Sequence, residues 1–205
     1  MTAEQSVQIP GYICFEYILV LSPHEDLCKK ITEIKESFAD KYKSDEARWG
    51  KPYVTLATFV QRQMLEERLI NRLQLIATGY HSVKIEMKDF GSFPSHTIYI
   101  NVTSKIPVQN LVKNIRHEAL RLMKLDEDNK PHFIMEPYLS IARKLKPWQY
   151  EKAWLEYSNK NFTAKFISEE MILLRRKVGE KRYVTVQCFK FKNLPVNIKQ
   201  GELFL

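Results

Sequence analysis

The chain predicts an α+β fold of two pseudo-symmetric lobes, each an antiparallel sheet with flanking helices, around a central groove. Three observations carry this. One hexapeptide pattern occurs twice, as Pro52-Tyr53-Val54-Thr55-Leu56-Ala57 and Pro137-Tyr138-Leu139-Ser140-Ile141-Ala142. Each copy is preceded by a strand-like segment, Tyr17-Ile18-Leu19-Val20-Leu21-Ser22 in the first half and Tyr99-Ile100-Asn101-Val102-Thr103-Ser104 in the second. Strand and helix patterns interleave throughout, as in domains that pack helices on antiparallel sheets.

Taken in order, the strand at Tyr17 is followed by Leu27, Ile31, Ile34 and Phe38, which share one face at the helical period. Ser22 is the expected N-cap, with Pro23 at the first helical position and Glu25 closing a capping box. After the first hexapeptide, Leu65, Leu69, Leu73 and Ile76 predict a second helix ending before Gly79. Val83, Ile85 and Met87 alternate as a strand, and Gly91-Ser92-Phe93-Pro94 is expected to turn the chain into the Thr97 to Val102 strand. The second-half helix begins near Pro107 and aligns Leu111, Ile115, Ala119 and Leu122. Pro147 then opens a short helix through Trp148, Trp154 and Tyr157. Glu170 to Val178 and Arg182 to Phe191 form a hairpin turning at Gly179. The expected organisation is a single bilobal domain over 1–205, with repeat units 17–57 and 99–142 and a closing hairpin at 170–191.

Composition narrows the function classes. With 44% apolar residues the chain has material for a sizeable core. Its longest apolar stretch near the start, Tyr17 to Leu21, is far too short to span a bilayer and lacks a basic flank. A soluble cytoplasmic monomer with no membrane partner is expected. Cys14, Cys28 and Cys188 have no metal-ligand spacing and are expected as reduced thiols. His24, His81 and His117 likewise lack partner spacing, so neither a metal nor another cofactor is expected. The net charge of +8 suits a polyanionic partner as well as a merely solvated basic surface, since the clusters Arg143-Lys144-Lys146 and Arg175-Arg176-Lys177 are short.

On a strand, Tyr53 and Thr55 point to one face and Val54 and Leu56 to the other; Tyr138 and Ser140 repeat the arrangement. Packing of the halves about a pseudo-two-fold axis would bring the four hydroxyls to one groove. The alternatives are that the tyrosines pack as half-buried strand residues and that Thr55 and Ser140 bond local backbone. Trp49 and Trp148 are placed either to cover the core edge or to stack on bases. His132, in Pro131-His132-Phe133-Ile134, has an isoleucine where a hydroxyl would belong and is expected on a loop or at the surface. His96, just before a strand, is expected in an exposed turn, with a route to the groove as the alternative.

This layout resembles the 2H phosphoesterase superfamily, which includes 2′-5′ RNA ligase-like proteins and RNA 2′,3′-cyclic phosphodiesterases. The likeness runs from about Tyr17 to Phe191. It rests on the two hexapeptides, on Gly91-Ser92-Phe93-Pro94 leading into Ile98-Tyr99-Ile100-Asn101-Val102, and on the closing hairpin. The resemblance implies two His-x-Thr/Ser motifs whose histidines exchange protons with a cyclic or 2′-5′ phosphodiester while the hydroxyls hold the phosphate. In this chain both histidine positions are tyrosine, at Tyr53 and Tyr138, and Thr55 and Ser140 retain the hydroxyl positions.

Proton exchange near neutral pH suits imidazole, with its pKa of ~6.5. A phenol at ~10 is ionised in only about one molecule in 10³ at neutral pH. Impaired catalysis with retained binding of a phosphate-containing ligand, such as an RNA end or a cyclic nucleotide, is therefore the leading expectation. Tyr53, Thr55, Tyr138 and Ser140 would donate hydrogen bonds and Arg143 a charge-assisted contact. Two alternatives stand beside it. One is an active phosphodiesterase or ligase-like enzyme using the tyrosines or a non-motif histidine. The other is a protein-interaction scaffold, for which the apolar tail Leu203-Phe204-Leu205 would be a docking element.

Overall fold

The computed structural model describes residues 12–195; the Leu203-Phe204-Leu205 tail lies outside them. Nine strands form one curled antiparallel sheet: β1 (Cys14–Leu21), β2 (Val54–Arg62), β3 (Val83–Phe93), β4 (Thr97–Val102), β5 (His132–Phe133), β6 (Tyr138–Ala142), β7 (Thr163–Ser168), β8 (Glu170–Lys177) and β9 (Val184–Lys190). The helices are α1 (Glu25–Tyr42), the single turn α2 (Asp45–Arg48), α3 (Glu66–Gly79), α4 (Lys105–Met123) and α5 (Pro147–Tyr157). The sheet order is β7-β3-β4-β6-β2-β1-β8-β9, with β5 hydrogen-bonded to β2. Outward from the central pair β6/β2, the strands match as β4/β1, β3/β8 and β7/β9, so the duplicated strand–helix–strand units sit at the centre of a pseudo-symmetric sheet.

The alternation read from the hexapeptides is present. Val54, Leu56, Leu139 and Ile141 are buried, while Tyr53, Thr55, Tyr138 and Ser140 are half-buried on the other face. Helices cover the apolar face in a crossed manner. The first-half helix α1 packs against β6, and the second-half helix α4 packs against β2. Each repeat thus closes the core of the other, which welds the two motif strands together at the place where they meet.

Local chemistry differs from the sequence reading at several points. The cap of α1 is His24, whose Nδ1 accepts from the Leu27 amide, and not Ser22. The Ser22 hydroxyl instead donates to the Pro23 carbonyl, and the first helical bond runs from the Cys28 amide to the His24 carbonyl. Gly91, Ser92 and Phe93 remain in β3, paired with Tyr99, Ile98 and Thr97, so the turn falls at 94–96. Leu65 belongs to a 3-10 turn before α3, and that helix extends through Gly79. Trp49 is 68% exposed and does not cover the core edge, and Trp148 is 44% exposed. His132 is exposed, as expected of a surface residue, but lies on the short strand β5 opposite Thr58. The predicted face of α1 gains a lysine: Lys35 is 6% exposed, and its ammonium donates to the Trp49 and Gly50 carbonyls.

Candidate functional site

The two hexapeptide strands meet at one bridge, Val54 opposite Leu139. In an antiparallel pair this register sets Tyr53 across from Ser140 and Thr55 across from Tyr138, all four side chains on the face away from the helices. Among the described residues, none of these four hydroxyls has a side-chain hydrogen-bond partner within the protein. Thr55 and Ser140 do not spend their hydroxyls on local backbone, although such bonds are common for these residues. The four hydroxyl-bearing side chains are therefore brought to one face in a strip at the centre of the sheet.

Tyr53 enters β2 from the loop that Lys35 holds. Burial, followed by the nearby Cys28 and Cys188 thiols, pushes its phenol above the usual tyrosine value. Tyr138 stands in an aromatic cluster. Its ring is 5.0 Å from that of Tyr99 and 5.1 Å from that of Phe93, which meets Tyr99 at 4.7 Å. The Arg143 guanidinium, just beyond β6, lies 5.8 Å from the Tyr138 ring centre. Burial also raises the Tyr99 phenol, with the Lys105 ammonium opposing the shift. The crowding rests on Gly91: a Cβ there would fall 2.6 Å from both the Asn101 amide oxygen and the Tyr99 ring. Only a residue without a side chain lets that ring lie across the neighbouring strand.

These rings wall a cavity of about 570 Å³ that also takes in Asn101, Lys88 and Lys105. Lys105 is engaged by Glu136 at 2.5 Å, whereas Lys88 has no carboxylate partner among the described residues. No motif in the sequence assigns a functional role to Phe93, Tyr99, Asn101, Lys88 or Lys105. The signal for two of them was in the alternation of β4, which puts Tyr99 and Asn101 on the same face as, and opposite to, Ser140 and Tyr138. His96 is exposed, bonds Thr97 Oγ1 at 2.7 Å through Nδ1, and stacks on Phe93 at 6.3 Å. Among the described residues there is no group of three or more His, Cys, Asp or Glu side chains arranged to hold a metal, and no helix is long and apolar enough to cross a membrane.

A family model described as the 2′-5′ RNA ligase superfamily matches residues 23–180, a span that contains both hexapeptides. The chain belongs to the 2′-5′ RNA ligase superfamily. The same fold is seen in solved structures of low sequence identity. LigT of E. coli complexed with 3′-AMP superposes with a TM-score of 0.59 at 15% identity, covering 87% of this chain and 98% of LigT. LigT complexed with NADP+ gives 0.58 at 15% identity, covering 87% and 99%. A structure from Thermus thermophilus gives 0.57 at 13% identity, covering 86% and 98%. No curated protein matches the chain in sequence. As in the superfamily resemblance drawn from the hexapeptides, this member's paired strands carry their hydroxyls to a common face; here the two flanking residues of that face are phenols.

Proposed function

We propose that this protein binds a phosphate-containing ligand, an RNA end or a cyclic nucleotide, across the β2/β6 junction and does not turn it over. The observation that carries the reading is the set of four half-buried hydroxyls, without side-chain partners among the described residues, on one face of the paired strands. A phosphate oxygen accepts from such donors at little reorganisation cost, because the strands already hold them in place. Arg143 supplies the charge-assisted contact from the end of β6. The adjoining cavity, walled by Phe93, Tyr99 and Tyr138, offers planar apolar surface for a base. LigT, which shares the fold, has been crystallised with 3′-AMP, with ATP and with phosphate, ligands of the kind proposed.

The absence of turnover follows from proton chemistry. A general base must be deprotonated at working pH, and Tyr53 is moved by burial away from that condition. A neutral phenol donates a hydrogen bond to phosphate but does not take a proton from an attacking oxygen. Calorimetric titration with 2′,3′-cyclic adenosine monophosphate tests the binding half of the reading. Removing both hydroxyls in Thr55→Ala/Ser140→Ala should weaken binding by about a hundredfold or more, at roughly 1.5–3 kcal/mol per bond to a charged group. Equal affinity for the variant and the parent would refute it.

A further inference from the structure

On the helical side of the molecule, remote from the hydroxyl strip, α3 and α4 pack side by side and leave an open cleft of about 1030 Å³ between their outer faces. Its floor is apolar: Leu75 is 48% exposed and Leu120 37% exposed, although both sit between packed helices. Its walls are basic, with Arg68 and Arg72 one turn apart on α3 and Arg121 facing them from α4. The one acid, Glu118, is already committed, to Arg72 at 3.4 Å and to His117 at 2.9 Å. Arg68 and Arg121 have no carboxylate within ion-pair distance among the described residues. The wall thus carries excess positive charge above exposed leucines.

We propose that this cleft is a docking surface for an acidic amphipathic helix of a partner protein. A groove between two helices accepts a third by ridge-into-groove packing, with apolar anchors at i, i+3/i+4 and i+7 meeting Leu75 and Leu120. Carboxylates on the flanks of that helix would meet Arg68 and Arg121 in forked geometry. A second copy of this chain docking cleft to cleft is opposed by charge, since like clefts would set arginine against arginine. Nucleic acid suits the arginines but gains nothing from the leucine floor, and the lining holds no Phe, Tyr or Trp ring on which a base could stack, its one imidazole, His117, being bonded to Glu118.

The test is fluorescence anisotropy with a labelled helical peptide bearing leucines on one face and glutamates on both flanks. Controls are the same peptide with lysine flanks and a uridine oligonucleotide. The glutamate peptide should bind, and Arg68→Glu/Arg121→Glu should weaken it about tenfold or more while leaving cyclic-nucleotide binding at the hydroxyl strip unchanged. Leu75→Asp provides an independent check at an exposed position and should weaken the same peptide. Three results would each overturn the proposal: unchanged peptide affinity in both variants, equal binding of the lysine peptide, or an oligonucleotide that displaces the peptide and shows the same sensitivity to charge reversal.

Discussion

Lys35 offers a test of how the Tyr53 strand is positioned. Its ammonium is almost fully buried and bonds the Trp49 and Gly50 carbonyls, fixing the loop that enters β2. Burial, with the Arg143 charge as a second cause, lowers its pKa from 10.5 to about 8. Between those values the unfolded chain holds more protons than the folded one, so the contribution of Lys35 to stability rises with pH and is complete only above 10.5. Linkage over the interval from about pH 7.5 to about 9.5 gives a gain of about 2 kcal/mol. In Lys35→Met the desolvation penalty is gone, but two carbonyls lose their donor at about 1–3 kcal/mol each.

The assay is urea denaturation of the parent and Lys35→Met at both pH values. Cys28 and Cys188 thiols and the raised phenols of Tyr17 and Tyr42 act with the opposite sign. Their folded pKa values lie above the unfolded ones, so stability is lost as pH climbs through that range. Both proteins share those groups, and the difference between parent and variant isolates Lys35. It should move about 2 kcal/mol in favour of the parent from about pH 7.5 to about 9.5. A difference that does not change with pH would refute the buried, loop-holding ammonium.

Three further outcomes follow from the geometry. Gly91→Ala should push the Tyr99 ring from its place, costing about 1–3 kcal/mol in urea melts and weakening cyclic-nucleotide binding in calorimetry. Tyr17→Phe removes the hydroxyl bond to Glu66 at 2.9 Å while Arg175 keeps that carboxylate paired, so denaturation should show a loss of about 1–2 kcal/mol. Affinity for 2′,3′-cyclic adenosine monophosphate, measured calorimetrically, should stay flat from about pH 6 to about 9, because the raised Tyr53 and Tyr99 phenols remain neutral there. A step near pH ~6.5 would instead implicate a histidine.

The duplicated units were legible because they rest on local periodicity. The hexapeptide alternation, the apolar faces of α1 and α4, and the hairpin at Gly179 each follow from neighbours in sequence. What escaped depends on distant partners. Lys35 belongs by type on a solvated face and is buried only because loop carbonyls of residues 49 and 50 arrive to receive it. Gly91 reads as a turn former, yet here it makes room for Tyr99 on the adjacent strand. The Ser22-Pro23 start of α1 obeys capping rules on paper, but His24 takes the role because the hydroxyl bonds its neighbour's carbonyl. The crossing of α1 onto β6 and α4 onto β2 has no sequence signature, since any apolar face satisfies any apolar sheet. The hydroxyl strip was foreseeable from the repeat; the ring-walled cavity beside it required the pairing of β4 with β6.

The most direct test of the central claim is chromatographic. The parent protein and Tyr53→His/Tyr138→His are each incubated with an RNA oligonucleotide ending in a 2′,3′-cyclic phosphate and with a 2′-5′-linked dinucleotide. The parent should leave both substrates intact and the histidine variant should open at least one of them, showing a phosphate site that lacks only its proton-transfer groups. Turnover by the parent would contradict the claim.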